Sequence, residues 1–135
     1  MKTVAIDFDG VVHLNHNFVN SSIIPDAPVP GAFNAIEQLR RQYRVVIFSC
    51  RADSPAAIDA ISDWLEVNGI EVDEVTNVKP HATVYIDDRA INFAGDWQDT
   101  LEQIEGFKPW QYNQAPGKTP IRNRKRSRYS RLIKL

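Results

Sequence analysis

The stretch KTVAIDFDG, Lys2 to Gly10, passes from a β-branched, apolar run into two carboxylates and a glycine. Residues 2–8 have the composition of a buried strand, and Asp9-Gly10 is a turn dipeptide that ends it. Asp7 and Asp9 stand two apart. In extended backbone both carboxylates therefore point the same way while Phe8 packs oppositely. A buried strand that finishes in two acids presents them at one edge of a sheet.

Outward from this stretch the same pattern recurs. Arg44 to Phe48 (RVVIF) reads as a second buried strand, ending in Ser49-Cys50-Arg51. Val72 to Thr76 reads as a third, and Thr83 to Ile86 as a fourth that ends in Asp87-Asp88. Helical signals separate them. Pro30 suits a first turn, Ala32, Ile36 and Leu39 give an apolar stripe, and Arg40-Arg41 sit near the C-terminus, where cations favour the dipole. Ser54 or Asp53 can cap a second helix with Pro55 in its first turn, Ile58, Ile61 and Leu65 on its inner face, and Asn68-Gly69 at its end. Asp96 caps a third, from Trp97 to about Glu105. His13 to Pro30 has no periodicity and is expected as a loop over one edge of the site. This alternation predicts an α/β fold, a parallel sheet ordered 3-2-1-4 with helices on both faces, in three Rossmann-like layers. In such sheets ligands bind beyond the carboxyl ends of the strands. Three strand ends here are polar: Asp7-Phe8-Asp9, Ser49-Cys50-Arg51 and Asp87-Asp88.

The 135 residues fit one domain, and 43% hydrophobic with 24% charged residues is an ordinary globular profile. A single cysteine, Cys50, excludes a disulfide framework and a multi-cysteine zinc site, and makes a cytoplasmic, reducing setting the default. No signal-peptide pattern and no apolar run of membrane-spanning length are present, so no membrane partner is expected. The net charge of −1 conceals an asymmetry: residues 118–135 hold 8 of the 16 Lys and Arg and none of the 17 Asp and Glu. The expected division is a core over 1–117 and a basic tail over 118–135. That tail suits nucleic acid, an acidic protein surface, or the acidic body itself. Tyr129, Leu132 and Ile133 could pin it to the body or to another subunit, which leaves an oligomer open.

Four carboxylates around one crevice repel one another, and a hard cation relieves the repulsion; an all-oxygen site suits Mg2+. Ser49 offers a hydroxyl, Arg51 and Lys79 offer positive charge for phosphate oxygens, and Gly10 lets backbone approach a ligand closely. Cys50 does not fit a Cys-x5-Arg phosphatase loop, because position 56 is Ala56. Cys50 is expected as a buried strand-end residue, His13, His16 and His81 as surface loop residues, Trp64 as core, and Trp97 and Trp110 as further core packing.

On these residues the chain resembles the haloacid dehalogenase-like (HAD) superfamily. Asp7-Phe8-Asp9-Gly10-Val11 is similar to its first motif, Ser49 to its second, Lys79 to its third and Asp87-Asp88 to its fourth, in order, across about residues 3–97. Ser-Cys-Arg at 49–51 and Ile-Asp-Asp-Arg at 86–89 are similar to polynucleotide 3′-phosphatase domains and deoxyribonucleotidases. The resemblance implies a magnesium-dependent phosphomonoester hydrolase. Asp7 would be the nucleophile forming an aspartyl-phosphate, and Asp9 the acid and then the base. Ser49 and Lys79 would orient the phosphoryl group, and Arg51 would contact it or the substrate. Mg2+ would be held by Asp7, the Asp9 carbonyl and Asp88, with Asp87 beside it. Family members usually carry a cap domain. Here about 20 residues separate Gly10 from Gly31 and 29 lie between Ser49 and Lys79, so a capless core open to a large substrate is expected. The rival expectation is an inactive HAD-like core serving as a nucleic-acid-binding or adaptor protein.

Overall fold

The computed structural model describes residues 1–113; the basic stretch 118–135, and every expectation placed on it, lies outside the described residues. Two compact units divide after Ala90, within the span expected as one core.

The first unit is built on four strands, β1 (Thr3–Ile6), β2 (Arg44–Phe48), β3 (Glu74–Thr76) and β4 (Val84–Ile86), with helices α1 (Ala32–Arg40) and α2 (Pro55–Val67). The sheet is parallel throughout and its order is β3-β2-β1-β4, as the sequence predicts. Register aligns the carboxyl ends: Ile6 pairs with Ile47 on one side and Ile86 on the other. The ladder continues one step further, since Asp7 N–H donates to the Ile86 carbonyl at 2.8 Å. Asp7 and Asp87 are thereby side by side on adjacent strands.

Strands are shorter than the sequence suggests. The third begins at Glu74 rather than Val72, because the Asp73 carboxylate accepts the Val45 N–H at 2.7 Å and its own N–H donates to the Val45 carbonyl. The first helix begins at Ala32 rather than Pro30, because Gly31 occupies the left-handed region at φ 89°. Of the two candidate caps for α2, Ser54 does the capping, its hydroxyl accepting the Ala57 N–H at 3.1 Å. Gly69, at φ 70°, turns the chain out of α2.

Val4 and Ile6 of β1, Val45 and Ile47 of β2, Ala32 and Ile36 of α1, and Ile61 and Leu65 of α2 share one core with Phe8. Helices α1 and α2 thus cover the same face of the sheet. The chain steps one strand at a time from β1 to β2 to β3 in one direction, and right-handed crossovers in one direction land on one side. The opposite face carries the buried Ala5 and Val46, while β4 is an exposed edge.

In the second unit, α3 (Trp97–Glu105) starts where expected. Asp96 caps it by accepting the Gln98 and Asp99 N–H groups. Trp97 packs on Phe93 at 4.9 Å, but it and Trp110 are exposed rather than core residues. Among the described residues no helix is long and apolar enough to cross a membrane.

Candidate active site

Asp7, at the end of the central strand β1, and Asp87-Asp88, at the end of β4, converge. One carboxylate oxygen from each lies within 4.8 Å of the others. At that separation a pair of full charges repels by about 3–4 kcal/mol at an effective dielectric of 20. Asp7 is half-buried and its carboxyl is pushed up to about 8. Burial is the main cause, with the adjoining Asp88 carboxyl, as hydrogen-bond partner and as charge, and the Asp87 charge adding to it. The Phe8 N–H, donating to Asp7 Oδ1 at 2.9 Å, opposes the shift and does not reverse it. Asp88 Oδ1 is buried and accepts no hydrogen bond among the described residues. Three convergent carboxylates, one with a buried oxygen unpartnered among the described residues, could supply oxygen ligands to a hard divalent cation. Gly10 makes room for this arrangement. Its φ is 81°, and a Cβ there would fall inside the Asp88 carboxylate.

Asp9 is elsewhere. The chain folds back after Phe8, whose carbonyl accepts from Val12 and His13 N–H, and Gly10 N–H donates to the His13 carbonyl at 2.7 Å. This turn brings the His13 ring to Asp9. His13 Nδ1 lies 2.9 Å from Asp9 Oδ1, and Arg51 Nε donates to Asp9 Oδ2 at 2.8 Å. Burial pushes the Asp9 carboxyl up, but the hydrogen bonds from His13 and Arg51 and the Arg51 charge outweigh it and hold Asp9 below the usual carboxylate range. His13 Nε2 accepts the Asp26 N–H at 3.0 Å, which leaves the ring proton on Nδ1, facing Asp9. His13 is fully buried, stacked on Phe8 at 5.3 Å and edge-on to Trp64 at 5.4 Å. The expectation of a surface histidine is therefore corrected: with both ring nitrogens paired, burial leaves no polar atom unsatisfied.

Arg51 is corrected as well. Expected to face a phosphate, its guanidinium is buried and turned to protein acceptors. Besides Asp9 it donates to the carbonyls of Asn20 (2.8 Å), Ser21 (3.3 Å) and Ile23 (3.1 Å) and to Asn15 Oδ1 (3.2 Å), and it lies 5.1 Å from the Phe18 ring centre. It is a clasp for the 15–23 loop.

Ser49 sits buried at the end of β2, and its hydroxyl accepts the Arg51 N–H at 3.1 Å. Lys79 is exposed in the β3–β4 connection, its ammonium 4.8 Å from the Tyr85 ring centre, and forms no ion pair among the described residues. Tyr85 pairs with Ala5, and alternation puts both on the side of the sheet where Asp7 follows. Cys50 is exposed, not buried as expected: the chain has left β2 by then and turns outward between the buried Ser49 and Arg51. His16 and His81 are on the surface as expected. Trp64 is half-buried against Phe8, and its indole N–H donates to the Asp26 carbonyl at 3.0 Å. The sequence reading missed Asp26, which meets His13, Trp64 and Asn17. The four-residue spacing of Asp9 and His13 around a turn was the signal that could have revealed the network.

A groove lined by Arg40, Leu65, Gly69, Ile70 and Asp73 lies before the start of β3, at the amino ends of the strands, away from the acidic trio. Among solved structures, the chain is similar to a conserved protein from Bacteroides thetaiotaomicron. The TM-score is 0.53 and the identity 24%, covering 81% of this chain and 93% of that one. No protein-family model matches the chain. No curated protein matches it either. The likeness is one of fold: an α/β domain with a parallel four-stranded sheet.

Proposed function

We propose that this protein is a magnesium-dependent phosphomonoester hydrolase with a capless, three-layer HAD-like core and Asp7 as its nucleophile. The observation that carries the reading is the convergence of Asp7, Asp87 and Asp88 at the carboxyl edge, with the Asp88 oxygen left without a partner. The chain gives Asp9 an arginine partner but brings no cationic side chain into ion-pair distance of these three among the described residues. The two intervals that could hold a cap are filled by the loop clasped by Arg51 and by α2 with β3, which supports an open site and a substrate of some size.

Asp7, Asp87 and Asp88 would hold the cation, which supplies positive charge to offset the carboxylates and the transferring phosphoryl group. The residues do the rest. The Asp7 carboxylate oxygen forms a bond to phosphorus as the bond to the leaving oxygen breaks. Asp9 takes the acid role that the resemblance implies, entering the cycle protonated although His13 and Arg51 hold its carboxyl low. In the second half a water attacks phosphorus, gives its proton to Asp9, and the bond from Asp7 to phosphorus breaks to release phosphate. Ser49 and Lys79 are the neutral and positive groups available to the phosphoryl oxygens.

The test is p-nitrophenyl phosphate hydrolysis with and without magnesium, followed by acid quench and mapping of any phosphoryl group on the protein. The expected result is magnesium-dependent turnover with the label on Asp7. Magnesium-dependent stabilisation without hydrolysis of any phosphomonoester would instead make this an inactive cation-binding core of the adaptor kind.

A further inference from the structure

We propose that His13 and Arg51 are positioning residues that act through Asp9, and that the same two side chains make the order of the 14–28 loop depend on the Asp9 carboxylate. The proposal rests on the phosphatase reading for its kinetic consequence and on geometry alone for the loop.

The two oxygens of Asp9 are held from opposite sides, Oδ1 by His13 Nδ1 at 2.9 Å and Oδ2 by Arg51 Nε at 2.8 Å. Two directional bonds to two oxygens fix the plane of the carboxylate as well as its position. Neither partner is free to drift. The His13 ring is clamped between Phe8 and Trp64, and its far nitrogen accepts the Asp26 N–H. The Arg51 side chain is buried under Phe18, and its terminal nitrogens reach three loop carbonyls and Asn15. Beside the Trp64 indole bond to the Asp26 carbonyl (3.0 Å) and the Ser21 hydroxyl bond to the Asp53 carboxylate (2.9 Å), the loop is held by two side chains whose other ends are on Asp9. His13 ties the Asp26 end, Arg51 ties residues 15–23, and the carboxylate is where the two ties meet.

Removing the Asp9 charge should therefore loosen a segment that Asp9 itself barely touches, and disturbing His13 or Arg51 should slow turnover only by way of Asp9. In substitution terms, His13→Asn keeps a donor near the Nδ1 position, whereas His13→Gln keeps a polar group nearer the Nε2 position and leaves Asp9 Oδ1 without its partner. Arg51→Lys keeps the charge but cannot reach Asp9 and the loop carbonyls together.

The experiment is a double-mutant cycle on the full chain with p-nitrophenyl phosphate. His13→Gln and Arg51→Lys are expected to lower kcat by roughly tenfold or more with KM nearly unchanged, and His13→Asn by much less. In an Asp9→Asn background the same substitutions should have almost no further effect. Additive losses in that background, or equal losses for His13→Asn and His13→Gln, would overturn the positioning role. A second measurement does not depend on catalysis or on the buried variants folding well. Limited proteolysis of Asp9→Asn should cut within residues 15–25 faster than in the parent, and an unchanged cleavage rate would overturn the coupling of loop and carboxylate. If Asp7→Asn retains full activity, the phosphatase reading fails while the proteolysis result still decides the loop proposal.

Discussion

Asp7 and Asp9 are separated by one residue and live in opposite electrostatic worlds. Asp7 faces two more carboxylates and burial, and its carboxyl rises to about 8; Asp9 faces His13 and Arg51 and is held low despite burial. Alternation alone would point the two side chains the same way; the fold-back of the chain after Phe8 turns them to different partners. One acid is satisfied inside the protein; the other is left with a need that only something from outside can meet. A chain that meets a half-buried carboxylate with two side-chain donors at one position, yet sets three carboxylates against one another beside it with one Asp88 oxygen unpartnered among the described residues, has the electrostatic pattern of a candidate ligand site. The comparison also assigns kinds of consequence: damage to the Asp7 side should appear in activity and cation response, damage to the Asp9 side in stability and loop order as well.

The sharpest way to break that division is at Asp7 itself. Asp7→Asn is expected to lower magnesium-dependent phosphatase activity by three orders of magnitude or more, a scale of about 10^3-fold or above seen when a nucleophile is removed. Circular dichroism should remain that of the parent, because the amide relieves repulsion and leaves the ladder bond through the backbone N–H in place. Residual turnover of more than a few per cent in a folded variant would remove Asp7 from the mechanism.

On the other side, Arg51→Met should cost stability. It strands the half-buried Asp9 carboxylate and frees three carbonyls and Asn15 at once; breaking a fully buried pair costs about 3–5 kcal/mol, and the partial exposure of Asp9 lowers the expected loss to about 2–3 kcal/mol. Urea unfolding of the parent and the variant measures this. A loss under about 1 kcal/mol would mean that water replaces the clasp easily.

Magnesium should act in the opposite sense on the acidic trio. A ligand that binds only the folded protein stabilises by about 2.7 kcal/mol at a hundredfold excess over its dissociation constant. The Tm of the parent should rise with magnesium, and Asp88→Ala should remove most of the rise. An equal rise in the variant would take Asp88 out of the ligand set.

Much of this arrangement was legible in the sequence, for a physical reason. The strands are apolar and end in polar residues, so the alternation of β and α predicts a parallel sheet whose carboxyl edge gathers the polar ends, and the register of β1 on β4 then sets Asp7 beside Asp87. What could not be read depends on the 13–28 segment. It has no periodicity, so nothing local says that it folds back. Without that fold-back, His13 reads as a surface residue and Arg51 reads as a free cation. The placement of both helices on one face follows from crossover handedness once the strand order is known, a step that the pattern of residues does not itself display. The exposure of Cys50 lies beyond pattern too, since it depends on where β2 stops and which way the turn faces.

A stability profile against pH separates the two aspartates most directly, because above pH 5 the raised carboxyl of Asp7 still titrates while Asp9 does not. Asp7 has a folded-state carboxyl near 8 against an ordinary 3.8. Between those values the folded protein keeps a proton that the unfolded chain releases. Stability of the metal-free protein should therefore fall as pH rises from about 4 towards 8, by at most about 1.4 kcal/mol per unit. Partial exposure of the Asp7 carboxyl screens this, so the measured slope should be shallower. Asp9 runs the other way: held low, it contributes stability that is present above the ordinary carboxylate pKa and is lost only as pH falls through its lower folded value. Above pH 5 the Asp9 contribution is constant, and the slope belongs to the acidic trio. Unfolding free energies measured in chelator at pH 5, 6, 7 and 8 should decline for the parent and stay nearly flat for Asp7→Asn. Adding magnesium should flatten the parent's curve as well, since a bound cation removes the reason for Asp7 to keep its proton. A parent curve that is flat without magnesium would mean that the trio is relaxed by water or by movement of Asp88, and the contrast between Asp7 and Asp9 would then be one of partners but not of energy.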